Sequence, residues 1–308
     1  MPELPEVETV RRGLAVALPG KRIVLSQWRR PDLRFPLPEG FSGALEGRCV
    51  NHVERRAKYL MITLGGKNDD KDDLLIWLVH FGMSGRFSIH TPDVGVVRPG
   101  YFVLDTDGMG SLNDTAGPHD HGLIVFNDGT QLIYTDPRRF GFMDLFSDKD
   151  KSGNRHLARL GMEPFSKQFS GESLASVMAG RRLSLKAALL DQRLIAGLGN
   201  IYACESLFRA RLSPHRQAGS LMGRGSKPSV RAHRLAAAIQ AILGEAITAG
   251  GSSLKDYEHP DGTAGWFQHG FSVYGRSGAT CLTPNCAGRI KRIVQNSRST
   301  FYCSICQR

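Results

Sequence analysis

Met1-Pro2-Glu3-Leu4-Pro5-Glu6-Val7-Glu8-Thr9-Val10-Arg11-Arg12-Gly13-Leu14 opens the chain, and two readings of it hold together. Leu4, Val7, Val10, Leu14 and Leu18 recur at spacings of three and four, one face of an amphipathic helix. Proline is favoured at the first helical position, and Glu3, Glu6 and Glu8 suit a helix N-terminus, where the macrodipole favours carboxylates. The second reading is chemical. A methionine followed by the small Pro2 is a candidate for removal, which leaves a secondary amine. An α-amine titrates at about 7.7–8.0 against about 10.4 for lysine, so roughly a tenth is neutral at pH 7. A neutral amine attacks a carbonyl-like carbon, and a secondary one forms an iminium that stays cationic without a proton. With Met1 attached, Pro2 is an amide and cannot attack.

Working outward, residues 22–147 read as β structure. Candidate strands are 22–27, 48–54, 59–64, 74–80, 85–90, 101–104, 122–127, 131–136 and 141–146, short and separated by Gly, Pro and Asp turns, the pattern of a sandwich. Asn127-Asp128-Gly129-Thr130 signals a hairpin. The segments 65–73 and 105–118 read as long loops. From residue 153 the periodicity becomes helical, with helices over 183–191, 198–210 and 229–249 and a flexible loop over 219–229. The expected domains are 1–150, 151–264 and 265–308, in a multidomain α+β chain.

At 308 residues, 41% hydrophobic and +11 in formal charge, with a pI near 9.6, the chain is globular and suited to a polyanion, nucleic acid foremost. It has no apolar run long enough to span a membrane and no secretory h-region, which points to a cytoplasmic, nucleoid-associated protein. One chain holding every part suggests a monomer.

Six cysteines divide into solitary Cys49 and Cys204, both read as small buried hydrophobes, and a C-terminal quartet. Cys281-x4-Cys286 and Cys303-x2-Cys306, sixteen residues apart, form two knuckles suited to one structural Zn2+. Between them, Arg289–Val294 and Arg298–Tyr302 alternate as a β-hairpin with one apolar and one basic face. From Phe271 to Arg308 there are six basic residues and no acidic one, a surface for phosphates.

With these motifs in hand, the chain resembles formamidopyrimidine-DNA glycosylase, a bacterial family that excises oxidised purines. The resemblance is carried by the MPELPEVETVRRGL start, RRAKYL (55–60), HFGMSG (80–85), HDH (119–121), YTDPRRFG (134–141), GLGNIYACESLF (197–208), GGSSLKDY (250–257) and RSTFYCSICQ (298–307). It implies an N-terminal helix with a β-sandwich, a helix–two-turn–helix domain and a C-terminal zinc finger, acting on damaged double-stranded DNA.

The resemblance also implies roles. Pro2 attacks C1′ of the damaged nucleotide and the iminium leads to β- and then δ-elimination. Glu3 moves protons, and Glu6 orients the first turn. Lys58 contacts phosphate and serves as proton donor for β-elimination; Arg298 holds phosphate and serves in δ-elimination. His119 and Asn200 hold phosphates. Asn200 sits on the turn entering a helix, where Asn is commonly a cap. Because a glycosylase must flip its base out of the stack, Met83, Arg139 and Phe140 match a gap-filling triplet. Two departures stand out: the first knuckle is wider than is common in the family, and three inter-motif loops are longer. Two other classes compete, the sister enzyme endonuclease VIII, which prefers oxidised pyrimidines, and a non-enzymatic zinc-finger DNA-binding module. Leu4 and the Pro-Arg-Arg-Phe run speak against the first, and the N-terminus against the second.

Overall fold

A computed structural model describes residues 2–67, 73–92, 95–97, 117–252 and 267–308. The chain divides into two compact units, Met1–Ala158 with Gly250–Trp266, and Arg159–Ala249 with Phe267–Arg308. No helix among the described residues is long and apolar enough to cross a membrane.

In the first unit, α1 (Leu4–Ala17) is followed by β1 (Ile23–Trp28), α2 (Phe41–Leu45), β2 (Val50–Arg56), β3 (Tyr59–Leu64), β4 (Leu75–His80), β5 (Arg86–Thr91), β6 (Gly95–Val97), β7 (Asp120–Phe126), β8 (Gln131–Thr135) and β9 (Phe142–Ser147). The strands make two antiparallel sheets, ordered β1-β7-β8-β5-β6 and β2-β3-β4-β9. Their facing surfaces and the apolar stripe of α1 share one core containing Val7, Val10, Leu14, Leu60, Trp77, Phe87, Phe126 and Tyr134. The expected sandwich and helix stripe are therefore present. Strand β3 is apolar along its length because both of its faces are covered: Met61, with Ile76 and Leu78, packs under Tyr59, Phe146 and Leu157 on the second face. The Asp128-Gly129 hairpin forms as expected, with Gly129 at φ 82° and the Asp128 carboxylate accepting from the Thr130 N–H at 3.0 Å.

The second unit holds α3 (Gly171–Met178), α4 (Leu185–Leu190), α5 (Asn200–Arg209) and α6 (Val230–Thr248), then the hairpin β10 (Ile290–Gln295) and β11 (Arg298–Cys303). Gln192 staples the link between α4 and α5: its amide donates to the carbonyls of Leu190 and Leu198, and its oxygen accepts from the Gly197 N–H. A carboxylate staple joins α5 to the lead-in of the hairpin. Glu205, buried in α5, accepts backbone N–H bonds from Ser272, Val273 and Tyr274 at 2.8–3.0 Å. Burial pushes the Glu205 carboxyl up, against those three donors and the Arg209 charge. Cys204, Val273, Ile290, Phe301 and Cys303 form the apolar seam beneath.

Several expectations are corrected. Helices α2 and α3 and strand β6 were not anticipated; each is short, and α3 is secured by reciprocal bonds between Ser170 and Ser173 rather than by a long stripe. The strand expected over 101–104 lies outside the described residues. The 219–229 segment is not featureless: it contains 3-10 turns at Ala218–Leu221 and Arg224–Ser226 and a bridge from Met222 to Pro228. Cys49 is half-buried rather than buried, whereas Cys204 is buried. The hairpin lacks segregated faces. Pairing of Arg292 with Phe301 and Lys291 with Tyr302 puts cations on both sides, and Val294 is 68% exposed.

Leu14 is fully buried in the shared core, and truncation to alanine would leave a cavity under both sheets. Leu14→Ala is expected to cost about 2–5 kcal/mol, read as a lower urea midpoint at unchanged m-value.

Candidate active site and nucleic-acid interface

The N-terminal residues are not a frayed end. Pro2 is buried, and Glu3 and Glu6 are 3% and 4% exposed. The Glu6 carboxylate accepts the Glu3 N–H at 2.8 Å through Oε2. Its Oε1 accepts both the backbone N–H and the hydroxyl of Ser252, at 2.8 and 3.0 Å. Gly251, at φ 92°, lets that loop approach: a Cβ there would stand 3.1 Å from Oε1. Glu6 is thus a staple that holds the Glu3 backbone, and with it the adjoining Pro2, in place.

Lys58 occupies a two-residue turn between β2 and β3, with Ala57 at φ 54°. It is 5% exposed, unlike an ordinary turn lysine. Arg55 braces the turn, donating to the Ala57 carbonyl at 2.9 Å and to Glu8 of α1 at 3.1 Å. Burial raises the Glu8 carboxyl, but its bond to Arg11 and the charges of Arg11 and Arg55 hold it below its ordinary value. The Tyr59 phenol is raised by burial, opposed by Arg34. Beside Tyr59 in the sheet register stands His80. Its Nδ1 accepts the Gly82 N–H at 3.1 Å, so the neutral ring presents Nε2–H. The ring stacks on Phe142 at 5.1 Å. Burial, aided by the charges of Lys58, Arg34 and His156, pushes His80 down to about 3.

Met83 and the adjacent pair Arg139-Phe140, far from it in sequence, meet at one place. With Leu33, Arg34 and His80 they line a cavity of about 660 Å³. Met83 and Phe140 are 37% and 41% exposed, unusual for side chains that in another context would be core. The Arg138 guanidinium lies 4.8 Å over the Phe140 ring, and Arg139 is held at φ 54°. His119 is exposed on the turn before β7, and its carbonyl accepts the Asp136 N–H at 3.0 Å.

In the second unit, Asn200 is the first residue of α5, and the cap position belongs to Gly199. Instead, the Asn200 amide donates to the Ser299 carbonyl at 2.9 Å and to Tyr274 Oη at 3.4 Å. Its Oδ1 is buried and accepts no hydrogen bond among the described residues. The same Ser299 carbonyl takes a bond from buried Lys186 at 3.0 Å, and Lys186 also donates to Thr300 at 2.6 Å. The start of α5 is therefore tied to β11, whose first residue, Arg298, is exposed beyond the Asn296-Ser297 turn, both residues at positive φ. The sulfur atoms of Cys281, Cys286, Cys303 and Cys306 lie within 4.8 Å of one another, close enough to hold one metal ion.

Sequence reasoning did not single out Ser252, His80, Lys186, Glu205 or Asp136. Ser252, His80, Glu205 and Asp136 lie inside motifs quoted for their neighbours. A buried lysine such as Lys186 leaves no pattern in a single sequence.

Residues 1–143 match the formamidopyrimidine-DNA glycosylase N-terminal domain, and residues 160–258 the formamidopyrimidine-DNA glycosylase H2TH domain. The formamidopyrimidine-DNA glycosylase of Methylobacterium sp. (strain 4-46) is 51% identical over 307 residues, covering 100% of this chain and 99% of that protein. A Lactococcus lactis Fpg mutant in complex with Fapy-dG-containing DNA is 31% identical at a TM-score of 0.79, covering 100% of both chains. MutM in complex with carbocyclic 8-oxo-G-containing DNA gives the same identity, TM-score and coverage. Fold and likeness define a DNA glycosylase that acts on damaged DNA. The chain belongs to the formamidopyrimidine-DNA glycosylase family, whose members also carry AP lyase activity.

The depressed His80 has a measurable sign. An unfolded histidine protonates near 6.5, whereas His80 resists until about 3. Its contribution to stability is therefore complete above about pH 6.5 and is lost as pH falls toward 3. NMR titration of the free protein is expected to show no His80 ionisation between about pH 5 and 8, and His80→Phe to flatten the acid limb of stability between about pH 6.5 and 3.

Proposed function

We propose that this enzyme removes oxidised purines, 8-oxoguanine and formamidopyrimidines, from duplex DNA and then cleaves the strand by β,δ-elimination. The observation that carries this reading is the Pro2-Glu3 pair, buried and held by Glu6. Once Met1 is removed, the Pro2 nitrogen bonds to C1′ as the C1′–N9 bond breaks and the base leaves with the electron pair. Glu3 supplies the proton that opens the sugar ring at its oxygen. The resulting iminium acidifies C2′–H; loss of that proton expels the 3′ phosphate, and a second elimination expels the 5′ phosphate.

Lys58 is given the phosphate side of this chemistry, with the proton for β-elimination, and Arg298 the corresponding role in δ-elimination. Neutral His80 would add an Nε2–H donor beside Lys58. His119 and Asn200 would hold backbone phosphates. At Asn200 the first-turn amides of α5 suit an anion, while its side-chain amide donates to the Ser299 carbonyl and fixes that turn against β11. Met83, Arg139 and Phe140 would fill the space the flipped nucleotide leaves. An exposed Met adapts to that space, Phe wedges a base step, and Arg hydrogen-bonds the orphaned base.

The four thiolates fit zinc. A tetrahedron with Zn–S of about 2.3 Å has sulfur–sulfur edges of about 3.8 Å, and the Cys281–Cys306 and Cys286–Cys303 separations are both 3.7 Å. With no open position, the ion would supply rigidity to the β10–β11 hairpin and no catalytic step. We assign the three functional segments to 1–150, 151–264 and 265–308, and the enzyme's setting to the cytoplasm, on nucleoid DNA.

Borohydride trapping tests the chemistry. Met1-processed protein is expected to give a covalent adduct on a duplex bearing 8-oxoguanine opposite cytosine, absent in Pro2→Gly. No adduct would overturn the Pro2 mechanism, and a stronger adduct on a thymine-glycol duplex would favour pyrimidine lesions. Separately, Arg298→Ala is expected to lower the salt slope of DNA binding by about 1, and zinc removal to weaken binding; unchanged affinity in both would exclude the finger as a phosphate contact.

A further inference from the structure

The triplet that the proposed mechanism places in the DNA stack comes from two separate turns, Met83 from the 81–85 turn and Arg139-Phe140 from the 136–141 turn. A wedge built from two turns inserts as one body only if they are coupled. From the hydrogen bonds between them we infer that Asp136, acting with Ser84, is the positioning residue that latches the two turns into a single wedge. The inference rests on the gap-filling reading above and adds a residue that touches no DNA.

Asp136 is fully buried and Ser84 is 8% exposed. Asp136 Oδ1 accepts the Ser84 hydroxyl at 2.5 Å, a bond from one turn to the other. Oδ2 accepts the Gly141 N–H at 2.8 Å and the Tyr134 hydroxyl at 3.3 Å, closing the second turn on itself and on β8. The Ser84 oxygen in turn accepts the Arg138 N–H at 3.1 Å. One hydroxyl and one carboxylate thus join residues 84, 134, 136, 138 and 141.

The backbone is shaped for this coupling. Gly82 stands at φ 62°, and a Cβ on it would collide with the Phe140 carbonyl group. A Cβ on Gly141 would strike the Tyr134 hydroxyl, and one on Gly85 would lie 2.5 Å from both the Phe81 carbonyl and that same hydroxyl. The turns touch through main chain because glycines stand at the contact. The carbonyl side of Asp136 is also fixed: it accepts from the Arg139 N–H at 3.2 Å and lies 2.9 Å from His121 Nε2. Residues that bear the wedge, Met83 and Phe140, are exposed, while Ser84, Tyr134, Asp136 and Gly141, which join them, are buried. Preorganisation of this kind lowers the ordering that insertion must otherwise supply at the moment of base flipping.

Ser84→Ala is the direct test, since it removes both cross-turn bonds and little volume; Asp136→Asn keeps the shape but replaces one acceptor oxygen with a donor. Two measurements are made on each variant with the full chain. The first is borohydride trapping on an 8-oxoguanine duplex and on a single strand carrying an abasic site, where no partner base is left behind. The second is fluorescence of 2-aminopurine placed opposite the lesion, which reports on filling of the gap. The latch predicts a fall of about tenfold or more in the duplex-to-single-strand trapping ratio, the scale of one lost hydrogen bond to a buried charge, together with a reduced 2-aminopurine change. A ratio and a fluorescence change equal to those of the unmodified protein would overturn it. An equal loss on both substrates would also overturn it, by marking Ser84 and Asp136 as general stability elements. Failure of the Pro2 mechanism is distinguishable, because then the unmodified protein would give no adduct on either substrate.

Discussion

The Glu6 carboxylate is the constraint on which the reactive end depends. A chain terminus ordinarily frays because nothing repays the entropy of ordering it. Here one carboxylate accepts from Glu3 on one side and twice from Ser252, 246 residues away, on the other. A buried carboxylate is costly unless its oxygens are satisfied, so the same donors that relieve Glu6 also determine where Pro2 and Glu3 sit. The glycine at 251 is part of that arrangement, since its left-handed backbone admits the close approach.

The device recurs. Glu205 gathers three backbone N–H groups and ties a helix to the lead-in of the hairpin. Asp136 gathers the hydroxyls of Ser84 and Tyr134 and the Gly141 N–H. In each case a buried anion is satisfied by donors from segments distant in sequence. Breaking one partner leaves an uncompensated charge, a larger penalty than the net worth of the bond. Such sites trade little stability for a single geometry, which suits an enzyme whose reacting groups and wedge must be ready before a costly base-flipping step.

Electrostatics shapes the reactive surroundings as well. Lys58 is buried beside a histidine that burial keeps neutral. A second cation at that position would repel the first; a neutral imidazole with its Nδ1 occupied by Gly82 leaves a hydrogen-bond donor there without adding charge. On the other unit, Lys186 and Asn200 converge on one carbonyl of β11, so the helix start and the hairpin move as one piece.

By itself the sequence determined the α1 stripe, most of the sandwich strands, the longer helices and the cysteine quartet, because each is a local pattern of period or spacing that physical chemistry reads without neighbours. Whole-chain motifs placed it in its family. Short elements such as α2, α3 and β6 escaped, since few residues give too little periodicity and their stability comes from packing. The hairpin's mixed faces escaped because alternation assigns a side to each residue but not what covers that side. Only the tertiary structure decided that Lys58 is buried, that Asn200 bonds a strand rather than caps a helix, and that Glu6, Asp136 and Glu205 are staples. Those are facts about partners 52, 68 or 246 positions away, and no spacing rule along the chain carries contacts of that range.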